Sequence, residues 1–282
     1  MSAATTKTRE PDMAARDDFD AIDWQGQPVD CTRCEHAAHL LPAHRCELRV
    51  ACVHDRYAKR VERFFAWNPD EANHHLDHPY FEVRAIAARH ADVFRLTKLL
   101  ADPDGTVRFS ALARLPTSHA SALIHDPDRE VRVRVALRLD ESELMRMADD
   151  IDYYVRKIVA KRVPAALLQR FENDPDREVR RVVAERHSLP GLMRMARDPD
   201  DEVRAIVADR VPAALLDPFV RDPSWQVRYR VAERLPVEAL GVFEHDEDPM
   251  VRELVESRRS LPANVTPMRP RSAVASPREQ RS

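Results

Sequence analysis

Apolar and polar positions recur along most of this chain with a period of 24 residues. From about residue 77 to residue 258 the dipeptide Val-Arg returns eight times: Val83-Arg84, Val107-Arg108, Val131-Arg132, Val155-Arg156, Val179-Arg180, Val203-Arg204, Val227-Arg228 and Val251-Arg252. Four residues after each valine stands a second apolar residue: Ala87, Ala111, Val135, Val159, Val183, Val207, Val231 and Val255. Pairs at i, i+4 mark one face of a helix, here about 12 residues long. A column of arginines, Arg114, Arg138, Arg162, Arg186, Arg210, Arg234 and Arg258, marks its end. A shorter leg follows, with Leu96, Ala120, Leu144, Leu168, Leu192, Leu216 and Leu240. Three residues later come Leu99, Leu123, Met147, Phe171, Met195, Phe219 and Phe243. That i, i+3 spacing suits a short α-helix or a 3₁₀ segment. Two helical legs of this length bury their apolar faces only against neighbouring copies, so the pattern predicts an all-α solenoid whose Val, Leu, Met and Phe ladders form the core.

The polar punctuation supports the same reading. Most cassettes open on Asp-Pro-Asp, with a first-aspartate column at Asp102, Asp126, Asp150, Asp174, Asp198, Asp222 and Asp246. Proline follows it except at Ile151 and Glu247. The first aspartate is therefore expected at N-cap and the proline at N1. A second proline (Pro116, Pro164, Pro212, Pro236) is placed to break the helix.

The unbroken ladder from Arg84 to Arg252 has several readings. Asp104, Asp128, Asp152, Asp176, Asp200 and Asp248 lie four residues before their arginines, as an i, i+4 ion pair requires. Arginine and aspartate can instead link adjacent cassettes. A basic groove for nucleic acid is the functional alternative. Charge argues against the groove: residues 77–258 carry 30 basic and 34 acidic side chains.

Composition narrows the classes further. Only four glycines occur, and no G-x-G-x-x-G or Walker-type loop is present, which argues against a nucleotide enzyme. No base or nucleophile stands out, so a non-enzymatic protein is expected, with electron transfer the one redox activity in view. No run of apolar residues is long enough to cross a membrane, and residues 1–20 have no apolar signal region. The expected location is cytoplasmic, where clustered cysteines bind metals more often than they form disulfides.

All four cysteines, Cys31, Cys34, Cys46 and Cys52, fall in 22 residues as C-x₂-C-x₁₁-C-x₅-C. Four thiolates at this density suit a zinc ion or an iron–sulfur cluster. The second pair is wide for a zinc knuckle, which favours iron–sulfur. His36, His39, His44 and His54 are further candidate ligands and keep zinc as the alternative.

The cassette DPDREVRRVVAERHSLPGLMRMAR (174–197) and its copies resemble the leucine-rich repeat variant (LRV) family, whose 24-residue repeat reads DPDxxVRxxVAxRLPxxxL. The resemblance covers residues 77–258. It implies repeats of one α-helix and one 3₁₀-helix, in two layers that wind into a right-handed superhelix. Residues 31–52 are similar to the N-terminal domain that carries a [4Fe–4S] cluster ahead of such repeats. The resemblance then makes Cys31, Cys34, Cys46 and Cys52 its ligands and leaves the histidines as surface or packing residues.

The resulting map has a disordered N-terminus at 1–22, a four-cysteine iron–sulfur cluster domain at 23–60, a helical cap at 61–76, eight repeats at 77–258 and a disordered basic tail at 259–282. Phe64, Phe65 and Trp67 are expected to cover the first cassette. The expected function is an iron–sulfur repeat scaffold that binds an unidentified protein partner, with redox sensing or electron transfer. A HEAT-like nucleic-acid-binding solenoid with a structural metal cluster (iron–sulfur or zinc) is the alternative.

Overall fold

The computed structural model describes residues 19–260. The disordered ends expected at 1–22 and 259–282 therefore lie, apart from residues 19–22, 259 and 260, outside the described residues. The described residues hold helices and turns, with two isolated β-bridges (Ile22 to Pro28, Glu47 to Ala51) and no strand. The chain divides into two compact units, Met1–Pro164 and Ala165–Ser282.

In the first unit the cysteine region leads into α1 (Ala58–Trp67) and a 3₁₀ segment, Pro69–His74. The repeat helices α2 (Phe81–His90), α3 (Gly105–Arg114), α4 (Arg129–Arg138) and α5 (Tyr153–Arg162) follow. Three 3₁₀ legs alternate with them: Val93–Ala101, Thr117–Leu123 and Leu144–Met147. Successive repeat helices pack on one another as one layer, and the legs form the second.

The second unit repeats this plan. It starts on the leg Ala165–Phe171 and continues through α6 (Arg177–Arg186), α7 (Leu189–Arg194), α8 (Asp201–Arg210), α9 (Trp225–Arg234) and α10 (Pro249–Ser260). Helix α7 is a leg that turns α-helical. It approaches His187 so closely that a Cβ on Gly191 would sit 2.0 Å from that ring.

The ladders read from the sequence form the core. Every marker valine is buried, as are its i+4 partners and both columns of the second leg. Each such Val, Leu or Phe contributes about 1.5–3 kcal/mol of transfer free energy. The stack needs its first face covered, and α1 supplies Phe64 and Phe65, both buried in one cluster with Val83, Ala87 and Leu96. Trp67, expected beside them, stays half-buried at the helix end.

Helix starts differ from the expectation. Helices α3, α4, α5, α6 and α8 are ten residues long, and the second aspartate caps each of them. Asp128 accepts from the N–H groups of Glu130 and Val131, Asp152 from Tyr154 and Val155, and Asp200 from Glu202 and Val203. The proline is not N1. It holds the preceding aspartate extended, and the next residue is extended as well, as at Asp104 (φ −92°, ψ 128°).

The first aspartate does different work. Its Oδ1 accepts the N–H two residues on, as Asp102 does from Asp104 at 2.9 Å and Asp126 from Asp128 at 2.8 Å. The same carboxylate receives the marker arginine of the previous cassette, 18 residues earlier. Arg108 donates Nε to Asp126 Oδ2 (2.7 Å) and Nη2 to Oδ1 (2.6 Å). Its Nη1 donates to the carbonyls of Asp102 (2.8 Å) and Pro103 (3.1 Å). One guanidinium thus joins the opening turn of its own cassette to that of the next.

The bidentate pair recurs as Arg84–Asp102 and Arg132–Asp150 in the first unit. In the second it recurs as Arg180–Asp198, Arg204–Asp222 and Arg228–Asp246. The ladder therefore pairs between cassettes, and the i, i+4 aspartates are the helix caps.

Ile151 and Glu247 replace proline without breaking the pattern. Their carbonyls still accept from Arg156 and Arg252. The helix-end arginines form a parallel link. Arg138 Nη1 donates to the Ala113 carbonyl (2.6 Å), and Arg114, Arg210, Arg234 and Arg258 reach the same region of the preceding helix. A cation there satisfies orphan carbonyls and opposes the negative end of the helix dipole.

Removing one partner from such a buried pair strands the other charge. Arg180→Ala is expected to lower stability by roughly 2–4 kcal/mol in urea unfolding of the full chain. Arg180→Lys should recover less than half, because an ammonium cannot fork across a carboxylate and two carbonyls. Equal stability of all three proteins would contradict this.

Acid should loosen the same links. Burial raises the Asp102 carboxyl, but hydrogen bonds from Arg84 and the Asp104 N–H outweigh it and hold it below the ordinary 3.8. Asp246 is held down first by its hydrogen bond from Arg228. The unfolded chain therefore takes up these protons at a higher pH than the native chain. Their stabilisation is present above about pH 4 and is lost below it. The unfolding temperature should fall most steeply below that pH, and Asp246→Asn should flatten the fall. An unchanged acid slope in the variant would count against the assignment.

Candidate metal centre

The cysteine region is a series of tight turns fixed to α1. Cys31 opens a 3₁₀ turn (Cys31–Arg33) capped by Asp30, which accepts from the Thr32 N–H at 2.9 Å and the Thr32 hydroxyl at 2.6 Å. The Cys34 N–H returns to the Cys31 carbonyl, so one turn carries both thiols. Around Cys46 the chain takes left-handed conformations at His44 (φ 54°) and Arg49 (φ 67°). The Glu47–Ala51 bridge closes this reversal and brings the wide C-x₅-C pair to one place.

Helix α1 fastens these turns from behind. The Cys52 N–H donates to the Arg60 carbonyl (3.2 Å), Arg63 Nη1 to the Val50 carbonyl (2.6 Å), and Asn68 Nδ2 to the Arg45 carbonyl (2.7 Å). Arg60 is fully buried, pairs with Asp55 at 2.8 Å, and donates to the Phe19 carbonyl at 2.8 Å. Residues 19–22 are thereby packed onto the region, with Ala21 buried. The boundary expected between residues 60 and 61 falls inside α1, which is continuous across it.

All four cysteines line one pocket. Its walls are mostly apolar: Val29, Ala37, Leu41, Leu48, Ala51, Val53 and Phe64. Cys31, Cys34 and Cys46 are half-buried and Cys52 is buried. Burial pushes the Cys34 and Cys46 thiols up, and pushes Cys52 up to about 12. A thiolate at Cys52 therefore needs a cationic partner in the pocket.

Spacing bears on the kind of partner. Four thiols in one pocket suit either a tetrahedral zinc ion or the separate irons of a cluster, and the wide C-x₅-C pair is easier for the second.

The histidines fall in different places. His36 and His54 line the cysteine pocket, while His39 and His44 are not among its lining residues. A second, more open cleft lies on the other side of His36. It is lined by Glu35, His39, Glu71, His74, His75, Asp77 and His78 as well. The sequence map places residues 69–78 in the helical cap and the start of the repeats and gives them no ligand role. The run His74-His75-x-x-His78, beside His36 and His39 at i, i+3, was the available signal.

No helix among the described residues is long and apolar enough to cross a membrane. Residues 21–74 match the family model described as "LRV protein FeS4 cluster", and residues 81–104 match the model "Leucine rich repeat variant". A curated protein of Rhodobacter capsulatus, described as an uncharacterized 27.7 kDa protein in the nifB 3' region, is 52% identical over 99 residues. The match covers 35% of this chain and 40% of the length of that relative. A solved structure titled "A leucine-rich repeat variant with a novel repetitive protein structural motif" is 43% identical, with a TM-score of 0.77. That match covers 82% of this chain and 98% of the solved one. Repeats, cysteine region and their order along the chain agree, and the protein belongs to the leucine-rich repeat variant family that carries an iron–sulfur cluster domain.

Proposed function

We propose that Cys31, Cys34, Cys46 and Cys52 hold a [4Fe–4S] cluster and that the chain is a redox-responsive scaffold that binds a protein partner. The observation that carries this reading is the pocket lined by all four cysteines. The cluster, when bound, supplies a one-electron couple. The chain does the rest. Leu41, Leu48, Val53 and Phe64 keep the pocket apolar, and the Arg60–Asp55 pair and α1 hold its turns in place. Cys31, Cys34 and Cys46 keep partial contact with solvent, so a partner can approach that edge for electron exchange.

Recognition belongs to cassette positions that vary. The regular columns are core, caps and clamps, whereas the first helical turn differs from copy to copy. It exposes Tyr153 and Tyr154 in the first unit and Trp225 and Met250 in the second, residue types enriched in protein interfaces. The nucleic-acid reading lacks comparable support, since both arginine columns are engaged in links within the stack.

Anaerobic purification of the full chain tests the cluster. A brown protein with a broad visible absorbance, about four irons and about four sulfides per chain is expected. Cys52→Ser should lose most of the iron while the helical circular dichroism of the repeats persists. A colourless protein with one zinc per chain would reject the cluster. A cluster that cannot be reduced or oxidised reversibly would reject the redox role.

A further inference from the structure

Beside the cysteine pocket the open cleft gathers nitrogen and oxygen donors that no sulfur ligand needs. His36 and His75 come from segments 39 residues apart and meet with their Nε2 atoms 3.2 Å apart. Both imidazoles are nearly inaccessible, at 4% and 5% exposure. Glu35 Oε1 lies 3.7 Å from His36 Nε2, and the ligand atoms of Glu35, His36 and His75 all fall within 4.8 Å of one another.

We infer that this cleft is a second metal site, in which His36, His75 and Glu35 bind one divalent transition-metal ion. An ion with metal–nitrogen bonds of ~2.0–2.1 Å sets neighbouring ligands about 2.9 Å apart in an octahedron and about 3.3 Å apart in a tetrahedron. The 3.2 Å between the two Nε2 atoms lies between these. Two buried imidazoles facing Nε2 to Nε2 satisfy each other only through one shared proton. An ion uses both lone pairs at once.

His36 Nδ1 has no hydrogen-bond partner among the described residues. Two imidazoles and one carboxylate suit Zn²⁺ or Fe²⁺ and leave positions open for water or a further ligand. His39 and Glu71 form another close trio with His36, so Glu71 adds a second carboxylate to the cleft. The donors are nitrogen and oxygen, which makes the site chemically distinct from the four thiols. Its existence does not depend on what the cysteines hold, although His36 lines both pockets.

Zinc is the probe. The anaerobically purified full chain is dialysed against Zn²⁺, and zinc, iron and sulfide are counted in the same samples. One zinc per chain is expected, with the iron and sulfide contents unchanged. Glu35→Gln, at an exposed side chain, should weaken zinc binding by at least about tenfold. His75→Ala should remove it, again at constant iron. The inference is overturned if no zinc is retained, if Glu35→Gln binds zinc as the parent does, or if zinc enters only as iron leaves. The last result would place the zinc on the cysteines.

Discussion

The structure depends on one repeated contact, the fork of a marker arginine across the first aspartate of the next cassette. A short helix and a 3₁₀ leg bury too little surface to stand alone. Each cassette must therefore be held in register with the next. Valine and leucine ladders supply attraction, which is non-directional. The guanidinium supplies direction. It is bidentate toward Asp126 at Arg108, and its remaining nitrogen fixes the carbonyls of Asp102 and Pro103. Such a pair is a strong link once formed and a liability when half of it is missing, which accounts for the regularity of Asp, Pro and Arg across copies whose other positions vary.

The core was legible in the sequence because burial leaves a periodic signature. Val83, Leu96 and Leu99, and their copies, follow from the 24-residue period alone. The polar register was harder. In Asp-Pro-Asp either aspartate has the chemistry of a cap, and periodicity along one chain does not separate an i, i+4 partner from one 18 residues on. Geometry separates them: proline keeps Asp102 extended, Asp104 reaches the helix N–H groups, and Arg84 finds Asp102 rather than a residue of its own helix.

The cysteine region divides in the same way. Cys31 and Cys34 announce themselves by spacing, and Cys46 and Cys52 by the absence of any other cysteine. Left-handed turns at His44 and Arg49, which bring the second pair in, are written in residues that do not ordinarily favour φ > 0. His36 and His75 are 39 residues apart, and only the packing of the 69–78 segment against the cysteine turns joins them. The chemistry of the chain is thus concentrated at one end of the first unit, on a base of α1 and the first cassettes, while the arginines that looked available for a nucleic acid hold the stack together.

A double-mutant cycle on Arg108 and Asp126 tests that central claim most directly. Single and double alanine variants of the full chain are unfolded in urea, and the coupling between the two positions is taken from the cycle. A coupling of about 2 kcal/mol is predicted, with the double variant far less damaged than the sum of the singles. Additive losses would show that the arginine ladder is not what registers one cassette on the next.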